Sequence, residues 1–135
     1  MNRLSKGTVA VGALKVKSQI NAAGNIAQTR TVTNIADGGS MAMTAAGLTG
    51  GIVTATLTTT RSISFPTAAT IIALIGSTTD ATVTFSYINL AAYVATHTVA
   101  TGTTIVGAAT TAASVSSRWA AKVTSSSAVV IYRLS

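Results

Sequence analysis

Proton transfer needs a group that titrates near the working pH and a partner that positions it. In 135 residues the chain offers one histidine, His97, and two acids, Asp37 and Asp80, with no Glu and no Cys. A Ser-His-Asp set could be drawn on paper because serines abound. However, no Gly-x-Ser-x-Gly elbow exists, and Ala95-Thr96-His97-Thr98-Val99 reads as strand or loop. His97 is therefore placed at the surface or an interface. A paired-carboxylate glycosidase would need both aspartates, and each sits in a turn whose chemistry already explains it. One His and two Asp cannot fill a zinc shell, and no Asp-x-Asp calcium loop occurs. Gly47-Leu48-Thr49-Gly50-Gly51 and Gly38-Gly39 lack the following helix and lysine of a phosphate-cradling loop. No catalytic residue, metal or cofactor is implied, and the chain reads as a protein other than an enzyme.

The charge that remains is basic and uneven. The net charge is +7. Arg3, Lys6, Lys15, Lys17 and Arg30 lie at the start with no acid among them, and Arg118, Lys122 and Arg133 lie near the end. The first group could meet an acidic surface, whether nucleic acid or a negative protein shell, and the second forms a further basic face. The same cations also simply keep a neutral body soluble. Single-strand binders interleave bases with exposed aromatics. Here alternation sets Trp119 opposite Arg118 and Lys122, which points the ring to the core and disfavours direct nucleic-acid recognition.

Charged residues are 8% of the chain, against ~25% in soluble proteins generally. Hydrophobic residues are 48% and mean hydropathy is +0.55, yet Thr, Ser and Asn interrupt every run that approaches the ~20 residues of a spanning helix. No transmembrane segment is predicted. Arg3 and Lys6 ahead of Thr8 to Leu14 resemble the start of a signal peptide, but Lys15 and Lys17 interrupt it, so none is predicted.

Threonine and valine favour extended backbone, and period-two patterning recurs. Strands are predicted over Thr8 to Lys17 with a bend near Gly12, then Thr29 to Ile35, Ile52 to Leu57, Ser62 to Phe65 and Thr70 to Ile75. They continue at Ala81 to Tyr87, Thr103 to Val106 and around Val115. Ile71 to Ile75 is apolar on both faces and reads as a central strand, joined through Ser77-Thr78-Thr79-Asp80 to Val83, Phe85 and Tyr87 as a hairpin. Gly47 and Gly50-Gly51 mark a flexible loop, and Pro66 ends a strand. Leu90 to Ala95 could make a short helical turn. The segments around Trp119 and Val130 form a C-terminal hairpin across Ser125-Ser126-Ser127. The prediction is an all-β domain, a small antiparallel β-sandwich or jelly roll over residues 18–135, preceded by an extended basic arm over 1–17. No fixed-period repeat appears, which argues against a solenoid. Trp119, Phe65, Phe85 and Tyr87 are the candidate core. Thr54-Ala55-Thr56 and Thr82-Val83-Thr84 suggest ice-binding ranks, but β-propensity accounts for them.

This pattern resembles the decoration, or cement, proteins of tailed-bacteriophage capsids. The residues that carry the resemblance are Thr60-Arg61-Ser62-Ile63-Ser64-Phe65-Pro66 and Val129-Val130-Ile131-Tyr132-Arg133-Leu134-Ser135. The resemblance implies a virion protein, a homotrimer or dimer seated over joints between major capsid subunits, whose partners are the major capsid protein or identical subunits. Two alternatives stay open. One is the coat protein of a small virus with its basic arm on nucleic acid. The other is a surface- or carbohydrate-binding β-sandwich module.

Overall fold

Strands rich in Thr, Val, Ile and Ala would suit a ladder of hairpins, but most of the described chain does not fold back on itself in that way. The computed structural model describes residues 29–135, in which strand accounts for about 47% and helix for about 13%. The predicted arm over 1–17 and the strand over Thr8 to Lys17 lie outside the described residues.

The order is β1 (Thr31–Ile35), β2 (Met41–Ala42), α1 (Ala45–Gly50), β3 (Gly51–Ala55), β4 (Arg61–Ser64) and α2 (Ala68–Ile75), then β5 (Thr82–Asn89), β6 (Ala95–Thr98), β7 (Thr103–Val106), β8 (Thr110–Thr111), β9 (Ser116–Ser125) and β10 (Ala128–Arg133). A six-stranded sheet runs β1-β3-β5-β9-β10-β7, and a four-stranded sheet runs β2-β4-β6-β8. From β1 to β9 each strand lies in the opposite sheet from the one before it. A chain that crosses over and returns re-enters each sheet in the same direction, so β1–β3, β3–β5, β2–β4 and β4–β6 are parallel.

The antiparallel all-β sandwich predicted from sequence is therefore corrected: both sheets are mixed and two helices join them. The parallel strands wind in coils of unequal length. Thr31 pairs with Gly51 twenty positions on and Met41 with Ile63 twenty-two on, whereas Ile52 pairs with Ser86 and Arg61 with Ala95, each thirty-four on. The longer coil contains α2, and that inequality hides any period in the sequence.

The helices are the second correction. Thr70 to Ile75, predicted as a strand, lies within α2. Pro66 ends the preceding extended segment, and Thr67 caps the helix, its hydroxyl accepting from Thr70 N at 3.4 Å. Ala68 and Ile71 are buried and Ile72 and Ile75 pack against the core, a three- and four-residue spacing that leaves Leu74 55% exposed. The apolar run was thus one helical face with its neighbours, and the predicted hairpin into Val83 is a helix-to-strand connection. The glycine-rich segment predicted as a flexible loop is α1. Thr44 Oγ1 accepts from Gly47 N at 3.0 Å at its start, and Gly51, at φ 94°, closes its end by donating to Gly47 O and Leu48 O. Leu90 to Val94 is a bend and not a helical turn, with Asn89 Oδ1 accepting from Ala91 N at 3.2 Å.

The C-terminal hairpin forms as alternation predicts, with Val129 opposite Val123 and Ile131 opposite Ala121. Between the sheets lies one core containing Trp119, Tyr87, Phe65, Phe85, Leu48, Ile63, Ile71 and Ile131, all fully buried. Phe65 meets Phe85 and Trp119 edge-on at 6.1 and 5.3 Å between centroids. Among the described residues no helix is long and apolar enough to cross a membrane.

One glycine locks α2 to the final hairpin. Gly102 has φ 78°, and a Cβ there would stand 2.7 Å from Ser127 O and 2.8 Å from Ala68 Cβ. Gly102→Ala is expected to lower stability by about 1–3 kcal/mol in urea unfolding, whereas Gly38→Ala, which meets nothing within 4 Å, should stay within about 0.5 kcal/mol. Equal effects of the two would show that the packing at Gly102 is not limiting.

Candidate functional site

Alternation along β6 turns Ala95 and His97 inward and Thr96 and Thr98 outward. His97 is therefore 2% exposed, which corrects its predicted place at the surface or an interface. Its ring stacks on Phe65 at 5.4 Å and meets Tyr87 and Trp119 edge-on at 4.7 and 5.0 Å. Its Nε2 lies 2.9 Å from Thr111 Oγ1, which lies 2.7 Å from Ser117 Oγ. Trp119 Nε1 donates to the same Ser117 oxygen at 2.7 Å. Four side chains on β6, β8 and β9 thus form one buried polar thread from the four-stranded sheet to the six-stranded one.

The thread is not a catalytic triad. Thr111 separates His97 from Ser117, and His97 Nδ1, where an aspartate would sit, has no hydrogen-bond partner among the described residues. The aspartates are elsewhere. Asp37 Oδ1 accepts from Arg61 Nε at 2.8 Å, its Oδ2 accepts from Arg61 Nη2 at 3.2 Å, and Thr58 also donates to it. Arg61 and Thr58 together hold its carboxyl well below the usual range. Asp80, in the turn before β5 at φ 74°, pairs with Lys122 Nζ at 2.8 Å. Among the described residues no three His, Cys, Asp or Glu converge on a metal position.

Sequence gives the placement of the cations only in part. Arg3, Lys6, Lys15 and Lys17 lie outside the described residues. Of the group near the C-terminus, Arg118 and Lys122 share the outward face of β9, but Arg133 does not join them. Its guanidinium stands 4.9 Å from the Trp119 ring centroid, its Nη1 donates to Thr110 O at 2.7 Å, and its Nε donates to Ser135 O. Arg30 joins Arg118 instead, although eighty-eight positions separate them. Both line a hollow of about 260 Å³ with Ile52, Thr84 and Ser86, because Ile52 pairs with Ser86 and Ser86 with Arg118 across β3, β5 and β9. Thr84 and Ser86 were missed in the sequence. Their outward parity on β5 was legible, but the pairing that sets them beside two arginines was not.

The remaining outward surface is neutral. On the four-stranded sheet, Ser62, Thr96 and Thr110 form one cross-strand row and Ala42, Ser64 and Thr98 the next. Val32, Ile52, Ile88, Val130 and Tyr132 lie between hydroxyls on the six-stranded sheet, with Val32 65% exposed. No protein-family model matches the chain, and neither the curated proteins nor the solved structures give a match.

The buried imidazole gives the fold an acid sensitivity. Burial, with a smaller contribution from the Arg133 charge, lowers the His97 pKa from 6.5 to about 4. Tyr87 is pushed up to about 12 by burial and does not titrate in that window. The folded pKa lies below the unfolded one, so the stabilisation is complete above pH 6.5 and is lost as pH falls toward 4. The unfolding free energy of the full chain, from urea titrations, should fall over that interval by a total on the order of 3 kcal/mol, and His97→Gln should flatten the profile there. A wild-type profile already flat between pH 6.5 and 4 would count against the buried position.

Proposed function

We propose that this chain is a structural virion protein, a capsid decoration protein that seats on an acidic protein lattice through neutral, hydroxyl-rich faces and a few cations, and that it is not an enzyme. The observation that carries the reading is the fate of its three acid–base groups. His97 is spent in the core, Asp37 on Arg61 and Asp80 on Lys122. Among the described residues the outward faces of the two sheets carry mainly Thr, Ser, Val and Ile, with Arg30, Arg118 and the Lys122–Asp80 pair. A contact made by such groups buries few charges, and unpaired buried charge is what makes association costly. The net charge of +7 favours a negative partner over close approach of unshielded copies. Copies that associate as a dimer or trimer would do so on the lattice or through the apolar positions of the six-stranded sheet.

Salt separates this reading from a coat protein that binds its genome. Shell binding should largely survive the change from 50 to 200 mM salt, whereas contacts to several phosphates would lose orders of magnitude in affinity. Light scattering of the full chain, with co-sedimentation on tailed-phage shells stripped of their decoration protein and on random-sequence duplex DNA, tests it. Salt-tolerant binding to shells supports the proposal. A monodisperse monomer that binds no shell, or salt-sensitive binding confined to DNA, overturns it.

A further inference from the structure

We infer that the hollow between Arg30 and Arg118 on the outer face of the six-stranded sheet is a receptor for a carboxylate side chain of a partner protein. Three observations converge on it. The first is placement: Arg30, Arg118, Thr84 and Ser86 line one depression of about 260 Å³, so two arginines and two hydroxyl-bearing residues border one volume. Guanidinium presents paired N–H groups that match a carboxylate.

The second is fixed by composition and pairing together. The chain has two acidic side chains in all, Asp37 and Asp80, and they are engaged by Arg61 and Lys122. Residues 1–28 contain no Asp or Glu, so no conformation of that segment can supply a side-chain carboxylate to the hollow. No side chain of residues 1–135 is left to serve as its anion. The third is the seat of Arg30. Gly51 has φ 94°, and a Cβ there would fall 2.5 Å from Arg30 Nη1, so the Arg30 guanidinium lies close against the glycine backbone at the start of β3.

A protein carboxylate fits better than a phosphate backbone. Duplex DNA carries one charge per ~1.7 Å of its axis and is met by a track of cations, whereas on this face Lys122 is committed to Asp80 and Arg133 is turned to the other side, against Trp119. Two convergent arginines suit one isolated anionic group.

This inference rests on the reading of the chain as a binder of acidic protein surfaces. The test is titration of the full ¹⁵N-labelled chain with a hexaglutamate peptide, inorganic phosphate and a 12-base-pair duplex, followed by amide shifts. The peptide is expected to saturate with shifts centred on Thr84, Ser86 and Arg118. Arg30→Gln and Arg118→Gln, singly and together, should weaken it roughly ten-fold or more, with amide spectra otherwise native. Lys122→Gln, which removes the same charge outside the hollow, should change affinity less than about two-fold. Peptide shifts spread over other surfaces, an unchanged affinity in the double variant, or tighter binding of phosphate or duplex at the same amides would overturn the proposal. Particle binding separates the two levels. Shell binding that persists in the double variant removes this site and leaves the decoration reading, and peptide binding by a chain that seats on no shell does the reverse.

Discussion

The two sheets are joined across the core by a buried line of side-chain hydrogen bonds, Trp119 to Ser117 to Thr111 to His97, and much else is built around it. A polar group taken out of water is stabilising only when its partners are in place. The thread lies on the inward faces of β6, β8 and β9. Phe65, Tyr87 and Trp119 enclose His97, so the polar atoms lie in the most aromatic part of the core. A protonated ring would donate from both nitrogens, and Nδ1 meets no acceptor. The neutral form is the one that fits, and this is why the only histidine is lost to chemistry at the surface.

Scarcity of charge acts in the same direction. Two acids in the whole chain leave little to spend on a site, and both close connections between coils. Asp37 joins the segment after β1 to the start of β4 through Arg61, and Asp80 ties the turn before β5 to β9 through Lys122. These pairs are solvent-accessible and contribute modestly to stability. Their consequence for function is larger, because they use the anions that would otherwise neutralise the remaining arginines. The outward faces of the described strands are left hydroxylated, apolar and slightly positive.

Period-two alternation identified β1, β3, β4, β5, β9 and β10 and put Trp119, Phe65, Phe85 and Tyr87 inside, since each face of a strand meets one environment along its length. It failed at Ile71 to Ile75, where five apolar residues in a row fit a buried strand as well as one helical face. The caps at Thr67 and Thr44 were the local signals that would have separated the two. Gly51 was read as flexibility because glycine permits many conformations, and only the preceding helix shows that a left-handed residue was required there.

Sequence by itself determined the chemical inventory: one histidine, two acids, no cysteine, an excess of bases and strands rich in threonine. Those facts bound the chemistry, because a residue type that is absent cannot be supplied by folding. Tertiary structure alone decided direction and pairing. Parallel or antiparallel, a strand has the same alternation, so the winding of β1 to β6 between sheets leaves no trace in the hydrophobic pattern. The burial of His97 and the meeting of Arg30 with Arg118 depend on which strands become neighbours, and that is set by packing between segments far apart in the chain.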